Sequence, residues 1–531
     1  MRGDAVTGVR SEGLPAGAAR APRPVVRRND HTVLDPPALG EWSPVLGVSV
    51  VVPAFGGQEK LDLTLASLAA QGYPSSLTEV VVVDDGSAPA LRLPELRPEN
   101  TRLVPSLPGG WGPGHAVHSG VLASEGEVVL RLDADMVVFR DHLEAQMRWH
   151  HLADYLAVLG DTVFEEGPFH DLTPEGVRRM VLAAEWPRRR RENAARPAWI
   201  AELLEAVAGP AGAAHRAWEV FTGASFSVRR AFLEEAGGID PALSLGEDSE
   251  LGYRLAQRGA VFVPDPEAVG RHLGVPATEH DGPRVLRASR PAKEDRIPLM
   301  WSRRQAAWRS WRVPYAQIAV DTRGQGYDGV AAVVDGLLGG APADIEVVLS
   351  GEWSKAGPGR HGMLDDPDLD VRLLKEYYRC EPRVRFCEGG FEPHPDAPFR
   401  LLVPAGFPVA PHALAVMAGI ADRERAGLVL TRGGGPRLER TSAFARARLL
   451  GASPEDLDAV VADVWGTAEA ERDAVAATGE APEPPPSDWD RRLKKALRKA
   501  ERAEEEADRW ERRIRALTRG RWTGLTLWGT R

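Results

Sequence analysis

Two aspartates that are one residue apart stand at the end of an apolar run in the first third of the chain. Residues 128–138 read Val-Val-Leu-Arg-Leu-Asp-Ala-Asp-Met-Val-Val, so that Asp133 and Asp135 close a predicted strand. Alternate side chains of a strand share a face, and both carboxylates can therefore point the same way. Two such charges repel each other unless a cation lies between them. A hard divalent ion that also holds a diphosphate suits this place, and a solvated acidic turn is the alternative.

The segments before these aspartates predict the start of a parallel sheet. A β-branched run at residues 48–52 stops at Pro53, leucines then recur at helical spacing, and a second run at residues 80–83 ends at Asp84 and Asp85. Strand, helix and strand in this order form a βαβ unit, whose strands are parallel. Ligands of such sheets bind beyond the carboxyl ends of the strands, where all four aspartates fall. We therefore expect an α/β protein with its site at that edge.

Several segments in one order resemble the nucleotide-sugar half of family 2 glycosyltransferases with a GT-A fold. They are Val-Val-Pro-Ala-Phe at residues 51–55, Val-Val-Asp-Asp-Gly-Ser at 82–87, Leu-Asp-Ala-Asp at 132–135, Phe-Thr-Gly-Ala-Ser-Phe-Ser-Val at 221–228, Gly-Gly-Ile-Asp at 237–240 and Gly-Glu-Asp-Ser-Glu-Leu-Gly-Tyr-Arg-Leu at 246–255. The resemblance covers residues 48–275. It implies a GT-A, Rossmann-like catalytic domain, which we expect to occupy residues 41–312.

The resemblance assigns the donor side of the site. It implies that Asp84 and Asp85 hydrogen-bond the base or ribose, and that Asp133 and Asp135 meet the ribose and a metal ion, Mn²⁺ or Mg²⁺. The ion would offset charge on the leaving diphosphate. A histidine completes the metal shell in related enzymes, which points to His272, although a lone histidine is more often structural. The expected nucleotide-sugar contacts are Pro53, Ala54, Phe55, Asp84, Asp85, Gly86, Ser87, Gly114, His115, Asp133, Ala134 and Asp135.

The same resemblance places a general base at the start of a predicted helix. An inverting transfer needs a carboxylate that takes the proton of the acceptor hydroxyl as its oxygen attacks the anomeric carbon. Asp248 is the first candidate and Glu247 is its competitor, since neighbouring residues of a helix start point in different directions. Acidic residues are also favoured at helix starts for capping alone. The acceptor side would include Thr222, Gly223 and Ala224.

One segment departs from the family pattern. The family often has Ala-Arg-Asn-x-Gly before the Asp-x-Asp strand, whereas residues 116–120 here read Ala-Val-His-Ser-Gly. The usual arginine is absent, and His115 or His118 can replace its polar role. The donor contacts of this loop therefore stay open.

Residues 313–470 repeat the strand and helix plan of the first region. Residues 317–321 correspond to the first strand, and residues 345–351 stand where residues 80–86 stood. Residues 399–406 supply another strand, but no acidic pair follows it. We expect a degenerate GT-A-like domain that packs or binds without catalysing, and an unrelated α/β domain is the alternative.

The two ends of the chain differ in composition from the rest. Residues 1–40 are rich in Ala, Gly, Pro and Arg without periodicity, which predicts a disordered tail. Residues 471–487 predict a proline-rich linker. Residues 488–531 predict an amphipathic helix with a tail of arginine and tryptophan. Such a helix suits a homo-oligomer or a contact with an anionic membrane surface, and docking onto the protein itself is the plain alternative.

The overall composition bounds the class of protein. A chain of 531 residues predicts two or three domains, and a net charge of -10 argues against nucleic acid as a partner. Two cysteines fit neither a zinc site nor a disulfide framework, so we expect a cytoplasmic protein, at most peripheral to the inner face of the membrane.

These observations together predict a metal-dependent inverting glycosyltransferase of the hexosyltransferase type. The donor would be a nucleoside diphosphate sugar, with UDP as the expected nucleotide. The acceptor would be a hydroxyl of a glycan, a lipid-linked sugar or a cell-envelope polysaccharide. Two alternatives are a non-catalytic glycan-binding scaffold and a sugar nucleotidyltransferase. The second would need a glycine- and lysine-rich nucleotide loop, which residues 54–58 hardly supply.

Overall fold

The computed structural model describes residues 23–167, 169–185, 194–195, 202, 212–275, 281–300, 302–303, 309–357, 362, 365–477, 498, 509 and 512. The first domain contains β1 (Val48–Ala54), β2 (Thr78–Asp84), β3 (Thr101–Pro105), β4 (Val128–Leu132), β5 (Met136–Val138), β6 (Leu156–Glu165), β7 (Ala194–Ala195), β8 (Ser225–Arg229) and β9 (Val261–Leu273). Its helices are α1 (Gln58–Leu68), α2 (Pro113–Leu122), α3 (His142–His150), α4 (Pro174–Leu182), α5 (Arg230–Glu235), α6 (Glu247–Gln257) and α7 (Gly282–Arg296).

The strands of the first domain form one sheet in the order β3-β2-β1-β4-β8-β6-β9-β5, with β7 beside β6. β1 pairs in parallel with β2 and β4, and β8 is antiparallel to β4 and β6. Every residue of β4 is buried. Continuous apolar strands of this kind need cover on both faces of the sheet, which helices and loops supply. The predicted parallel βαβ start and the α/β class are confirmed.

A second sheet follows, in the order β12-β11-β10-β13-β15-β14-β16. Its strands are β10 (Ala316–Asp321), β11 (Ile345–Gly351), β12 (Val384–Glu388), β13 (Phe399–Val403), β14 (Leu428–Thr431), β15 (Arg437–Arg440) and β16 (Thr467–Ala470). Its helices are α8 (Tyr327–Gly339), α9 (Leu369–Tyr377), α10 (Ala413–Arg423), α11 (Thr441–Leu449), α12 (Leu457–Val464) and α13 (Arg472–Val475).

The second sheet repeats the order and the strand directions of the first. β10 is parallel to β11 and β13, β15 is antiparallel to β13 and β14, and β14 is parallel to β16. In the first sheet β1, β2, β4, β8, β6 and β9 have the corresponding places and directions. The repeated plan read from the sequence is therefore present in the topology. That the second domain is a degenerate copy of the first stays a prediction.

The segment before the first sheet is packed against the protein. Val26 is fully buried, the Asn29 side chain exchanges hydrogen bonds of 2.8 and 2.9 Å with the backbone of Phe262, and Arg23 pairs with Asp154 at 2.7 Å. The prediction of disorder is therefore wrong for residues 23–40, because isolated side chains in a low-complexity segment find partners that composition does not reveal. Residues 1–22 lie outside the described part of the chain.

The far end of the second domain also extends beyond its predicted limit. α13 begins at Arg472, and Ala476 pairs with Val409, so the described residues 471–477 belong to the domain and not to a linker. Nearly all of the predicted linker and C-terminal helix lies outside the described residues. In the described residues, no helix is both long enough and apolar enough to cross a membrane.

One buried arginine joins the two domains. Arg446 of α11 donates hydrogen bonds to the carbonyl oxygens of Gly259, of Ala260 at 2.7 Å and of Val26 at 2.9 Å. Burial lowers the pKa of Arg446 to about 10, against the opposing effect of Tyr155. Gly259 and Ala260 follow directly on α6, and a cation at the C-terminus of a helix is favoured by the helix dipole. The second domain therefore holds the end of the helix whose beginning carries Glu247 and Asp248.

Candidate active site

The loop after β2 is ordered around Asp84. One carboxylate oxygen of Asp84 accepts from the Ser87 backbone N–H at 2.8 Å, and the other accepts from the Leu91 N–H at 3.0 Å. Burial alone would raise the pKa of Asp84, but hydrogen bonds from Ser87, Leu91 and Gly86 lower it below its ordinary value. Asp84 thus shapes the loop with both of its oxygens, a structural task that the sequence motif did not distinguish from ligand binding.

Asp85 bridges the loops that follow β2 and β3. Its backbone N–H donates to the Ala54 carbonyl at 2.9 Å, and its Oδ2 accepts from the Gly112 N–H at 2.6 Å. Within the described residues, Oδ1 of Asp85 is buried and has no hydrogen-bond partner. A buried acceptor without a partner is unfavourable, which makes this oxygen a candidate for contact with a ligand donor.

The loop after β1 lies beside that of Asp85. The Gly56 N–H donates to the Ser87 hydroxyl at 2.8 Å, while Pro53 and Ala54 end β1 next to Val83 and Asp84. Phe55 exposes 75% of its surface at this edge. Residues 53–55 and 84–87, which were predicted to contact the nucleotide sugar, therefore lie side by side at this edge of the sheet.

Gly114 and His115 of α2 pack against the loops that surround the site. A Cβ on Gly114 would lie only 2.4 Å from the Leu243 carbonyl oxygen, so this close approach of α2 to the start of α6 requires glycine. The His115 ring is buried, with Nε2 at 2.7 Å from the Leu107 carbonyl. Burial and the nearby His115 lower the pKa of His118. The His115 ring thus contacts the backbone of the loop that precedes α2.

Arg131 stands at the centre of the acidic residues. Its guanidinium donates to Glu247 at 2.8 Å and to Asp133 at 3.2 Å, and its side chain is 6% exposed. Burial alone would lower the pKa of Arg131, but the charges of Asp133, Glu247 and Asp248 raise it above its ordinary value. Burial raises the pKa of Glu247 and of Asp133 despite Arg131, because one cation serves several carboxylates.

Asp135 faces a histidine and a lysine. Its Oδ1 lies 3.1 Å from His272 Nε2, and its Oδ2 lies 3.3 Å from Lys60 Nζ. His272 is brought here by the pairing of β5 with β9, in which Met136 is opposite His272. The His272 ring also packs on Phe164, with ring centres 4.7 Å apart. The structure therefore brings the predicted metal residues Asp135 and His272 together, while Asp133 turns to Arg131. In the described part of the chain, no group of three or more His, Cys, Asp or Glu side chains is arranged to hold a metal.

Asp248 is fixed by hydrogen bonds to both of its oxygens. Oδ2 accepts from the Gly223 N–H at 2.9 Å, and Oδ1 accepts from the Ser249 N–H at 2.6 Å. A Cβ on Gly223 would lie 2.8 Å from the Arg131 guanidinium, so a larger residue here would displace that side chain. Ala224 accepts from the Asp133 N–H at 3.1 Å, and Thr222 precedes this turn. The predicted acceptor-side residues therefore adjoin both Asp133 and Asp248.

Sequence reasoning missed two residues of this site. Arg131 interrupts an otherwise apolar strand, and a charged residue in such a run is a signal that it has a buried partner. Lys60 lies in the first turns of α1 and carries no comparable signal in the sequence. Both supply positive charge to the aspartate pair that was predicted to need a cation.

The comparison of the sequence with protein families finds glycosyl transferase family 2. Residues 49–202 match the sequence model of that family. This range contains the four aspartates of the donor side but ends before Asp248. A curated relative is the undecaprenyl-phosphate 4-deoxy-4-formamido-L-arabinose transferase of Edwardsiella ictaluri (strain 93-146), which is 31% identical over 103 residues. This match covers 18% of the chain and 32% of the relative, so the chain spans about a third of the relative's length.

Solved structures show a weak likeness to about half of this chain. A mannosyltransferase from Pyrobaculum calidifontis in complex with GDP-Man and Mn²⁺ is 21% identical, with a TM-score of 0.31 over 48% of this chain and 64% of that chain. TarS 1–349 of S. aureus is 19% identical, with a TM-score of 0.30 over 46% and 64% of the two chains.

Proposed function

Because residues 49–202 belong to glycosyl transferase family 2, we propose that this protein transfers a hexosyl group from a nucleoside diphosphate sugar to a hydroxyl acceptor. The observation that carries the proposal is the convergence of Asp85, Asp133, Asp135 and Asp248 on the edge at which β1, β2 and β4 end. This edge is where ligands of open α/β sheets bind.

The nucleotide base binds at Asp85 in this proposal. Its Oδ1 is buried and, among the described residues, without a hydrogen-bond partner, so it suits a ligand N–H donor. Uracil, thymine and guanine present a ring N–H donor, whereas cytosine offers only its exocyclic amino group. A UDP-sugar is the proposed donor, with GDP- and dTDP-sugars as the alternatives that the experiment below separates.

A divalent ion, Mn²⁺ or Mg²⁺, fits beside Asp135. In the described part of the site, Asp133, Asp135, Glu247 and Asp248 outnumber the permanent cations Arg131 and Lys60 by two charges. Asp135 Oδ1 and His272 Nε2 are 3.1 Å apart, close to the separation of about 3 Å between adjacent ligands of an ion with bonds of roughly 2.1 Å. Asp135 and His272 would hold the ion, which when bound supplies Lewis-acid neutralisation of the diphosphate.

Asp248 acts as the general base. Its carboxylate is held rigidly by Gly223 and Ser249 and can accept the proton of an acceptor hydroxyl as the oxygen attacks the anomeric carbon. Attack from the face opposite the diphosphate inverts the anomeric configuration. Glu247 is buried against Arg131 and has the positioning role of fixing that arginine.

The acceptor is a glycan, a lipid-linked sugar or another cell-envelope saccharide. The name of the curated relative contains undecaprenyl phosphate, which supports the inclusion of lipid-linked acceptors. Thr222, Gly223 and Ala224 form the turn beside Asp248 at which the hydroxyl would approach.

A thermal-shift panel tests this function directly. UDP, GDP, CDP and dTDP are each added to the full chain with and without Mn²⁺, because a ligand that binds the native state raises its melting temperature. We expect a shift with UDP that Mn²⁺ enlarges, that Asp135→Asn weakens, and that the distant surface variant Leu373→Ala retains. If none of the four nucleotides changes the melting temperature, the proposal is overturned and the non-catalytic glycan-binding scaffold is favoured.

A further inference from the structure

The second domain contains a cavity of about 310 Å³ at the carboxyl ends of its central strands. We call it the second-domain cavity. Residues that line it include Ala319, Asp321, Arg323, Ser350, Phe391 and Arg437. Its volume is at the lower end of the range of about 300–1,000 Å³ that small-molecule pockets occupy.

The position of the cavity in the second sheet is equivalent to the position of Arg131 and Asp133 in the first sheet. Val48 pairs with Val128, and Ala316 pairs with Phe399, so these pairs set a common register. Arg131 follows Val128 by as many residues as Leu402 follows Phe399, so Leu402 is the equivalent of Arg131. Two and four residues further on, Pro404 stands for Asp133 and Gly406 for Asp135. The arginine and both aspartates are therefore replaced by residues without charge.

This replacement decides which ligand class the cavity can take. Counterparts of Asp133 and Asp135 are absent and the one lining carboxylate, Asp321, is paired with Arg323, so the cavity is poorly suited to a metal-bound nucleoside diphosphate. Its remaining polar groups are fixed: Arg323 donates to both oxygens of Asp321, at 2.9 and 2.7 Å, and Arg437 is held by Asp458 at 2.6 and 2.7 Å. Ion pairs of this kind are neutral as a whole but keep spare donors and acceptors.

Apolar and hydroxyl groups complete the lining. Phe391 and Pro404 offer apolar surface, and Ser350 of β11 lies opposite Asp321 of β10. A pyranose ring has one face of C–H groups and a rim of hydroxyls, which matches an aromatic side chain beside fixed polar groups. Beside the cavity, β14 and β15 are joined by the short segment of residues 432–436.

We propose that the second-domain cavity is a non-catalytic binding site for a neutral saccharide unit of the acceptor. The inference rests on the proposed function for the identity of the saccharide as part of the acceptor. It assigns the second domain the task of holding an acceptor chain while the first domain acts on it.

A glycan array of neutral mono- to hexasaccharides, probed with the labelled full chain, tests the proposal. Phe391→Ala removes the aromatic surface, and Ala319→Leu fills the cavity from β10. The control Leu373→Ala changes a side chain of α9 that is 41% exposed and does not line the cavity. We expect saccharide binding that both cavity variants weaken at least fivefold, and that Leu373→Ala and Asp248→Asn retain. Melting temperatures of the variants confirm that they are folded.

Three outcomes would overturn the proposal. One is the absence of any bound saccharide. Another is binding that Asp248→Asn abolishes and the cavity variants do not, which would place the saccharide in the first domain. The third is nucleotide binding that Ala319→Leu abolishes. The nucleotide panel with Asp135→Asn reports separately on the first domain, so a negative array with an intact nucleotide shift rejects the cavity and leaves the proposed function standing.

Discussion

Arg131 donates a 2.8 Å hydrogen bond to Glu247, and both side chains are only 6% exposed. The next residue of the same helix, Asp248, turns instead to the Gly223 N–H at 2.9 Å. Two adjacent acids thus have different surroundings: one is neutralised inside the protein, and the other lies at the edge of the site. This difference is the structural reason for choosing Asp248 over Glu247 as the base.

Replacement of Asp248 by Asn should remove the base and leave the donor site intact. General-base catalysis contributes roughly 10²- to 10⁴-fold, so we expect a loss of that order in the rate of transfer. Release of UDP from the donor in the presence of acceptor measures the rate. The nucleotide thermal shift serves as the control and should stay unchanged. Full activity of the Asn variant would assign the base to another residue.

Glu247→Gln should lower stability far more than Asp248→Asn. The variant breaks a buried, charge-assisted hydrogen bond, but Arg131 keeps its contact with Asp133, so we expect a loss of about 1.5–3 kcal/mol. Urea unfolding measures the change. Arg131→Met leaves both Asp133 and Glu247 without their cation and should cost more than Glu247→Gln, and an equal or smaller loss would contradict the pairing.

The buried histidine His142 should make stability fall in mild acid. Its ring is fully buried, and its Nε2 lies 2.8 Å from the Ser225 hydroxyl. Burial lowers the pKa of His142 from 6.5 to about 4, so the unfolded chain takes up a proton before the folded protein does. This contribution is absent above pH 7 and destabilises the fold progressively as the pH falls from 6.5 to about 4, by roughly 3 kcal/mol at most.

The variant His142→Asn isolates this effect from the titration of carboxyl groups. The difference in unfolding free energy between the natural protein and the variant should narrow between pH 7 and pH 4. Urea denaturation at each pH measures it. A difference that is independent of pH would show that His142 does not stay neutral in the fold.

Lys60 should compete with a divalent ion for Asp135. The Nζ of Lys60 lies 3.3 Å from Asp135 Oδ2, and both side chains are partly exposed. Such pairs are worth up to about 1 kcal/mol, so Lys60→Met should tighten Mn²⁺ binding by at most roughly fivefold. Titration of free Mn²⁺ by electron paramagnetic resonance measures the affinity without turnover. Lys355→Met removes an exposed partner of Glu352 in the second domain and should change nothing. Weaker Mn²⁺ binding in the Lys60 variant would contradict the competition.

Arg446→Met should uncouple the two domains. The change leaves the carbonyl oxygens of Gly259, Ala260 and Val26 without their charged donor, and we expect a loss of about 3 kcal/mol or more. In scanning calorimetry we expect one transition for the natural protein and two for the variant. Arg448→Met, at an exposed position of the same helix, is the matched control. A single unchanged transition in the Arg446 variant would refute the coupling.

Local sequence patterns were sufficient to predict the first sheet and its active edge. The β-branched runs of residues 48–52 and 128–132 specify strands buried on both faces, and their order specifies a parallel sheet. Asp85 follows β2, and Asp133 and Asp135 follow β4, so their meeting at one edge depends only on strand direction. His272 was predicted from the resemblance, and the antiparallel pairing of β5 with β9 brings it to Asp135.

The pairing of charges was decided by tertiary structure. Whether Asp84 shapes its loop, whether Asp133 turns to Arg131 and whether Lys60 reaches Asp135 depend on side chains from separate elements, which spacing along the chain does not relate. The same holds for residues 23–40, whose composition predicts disorder although Asn29 binds the backbone of Phe262. The sequence by itself determined the strands and the edge, because periodicity and strand direction are local properties. The partner of each charge was decided only by the fold, because burial and distance arise between residues far apart in the chain.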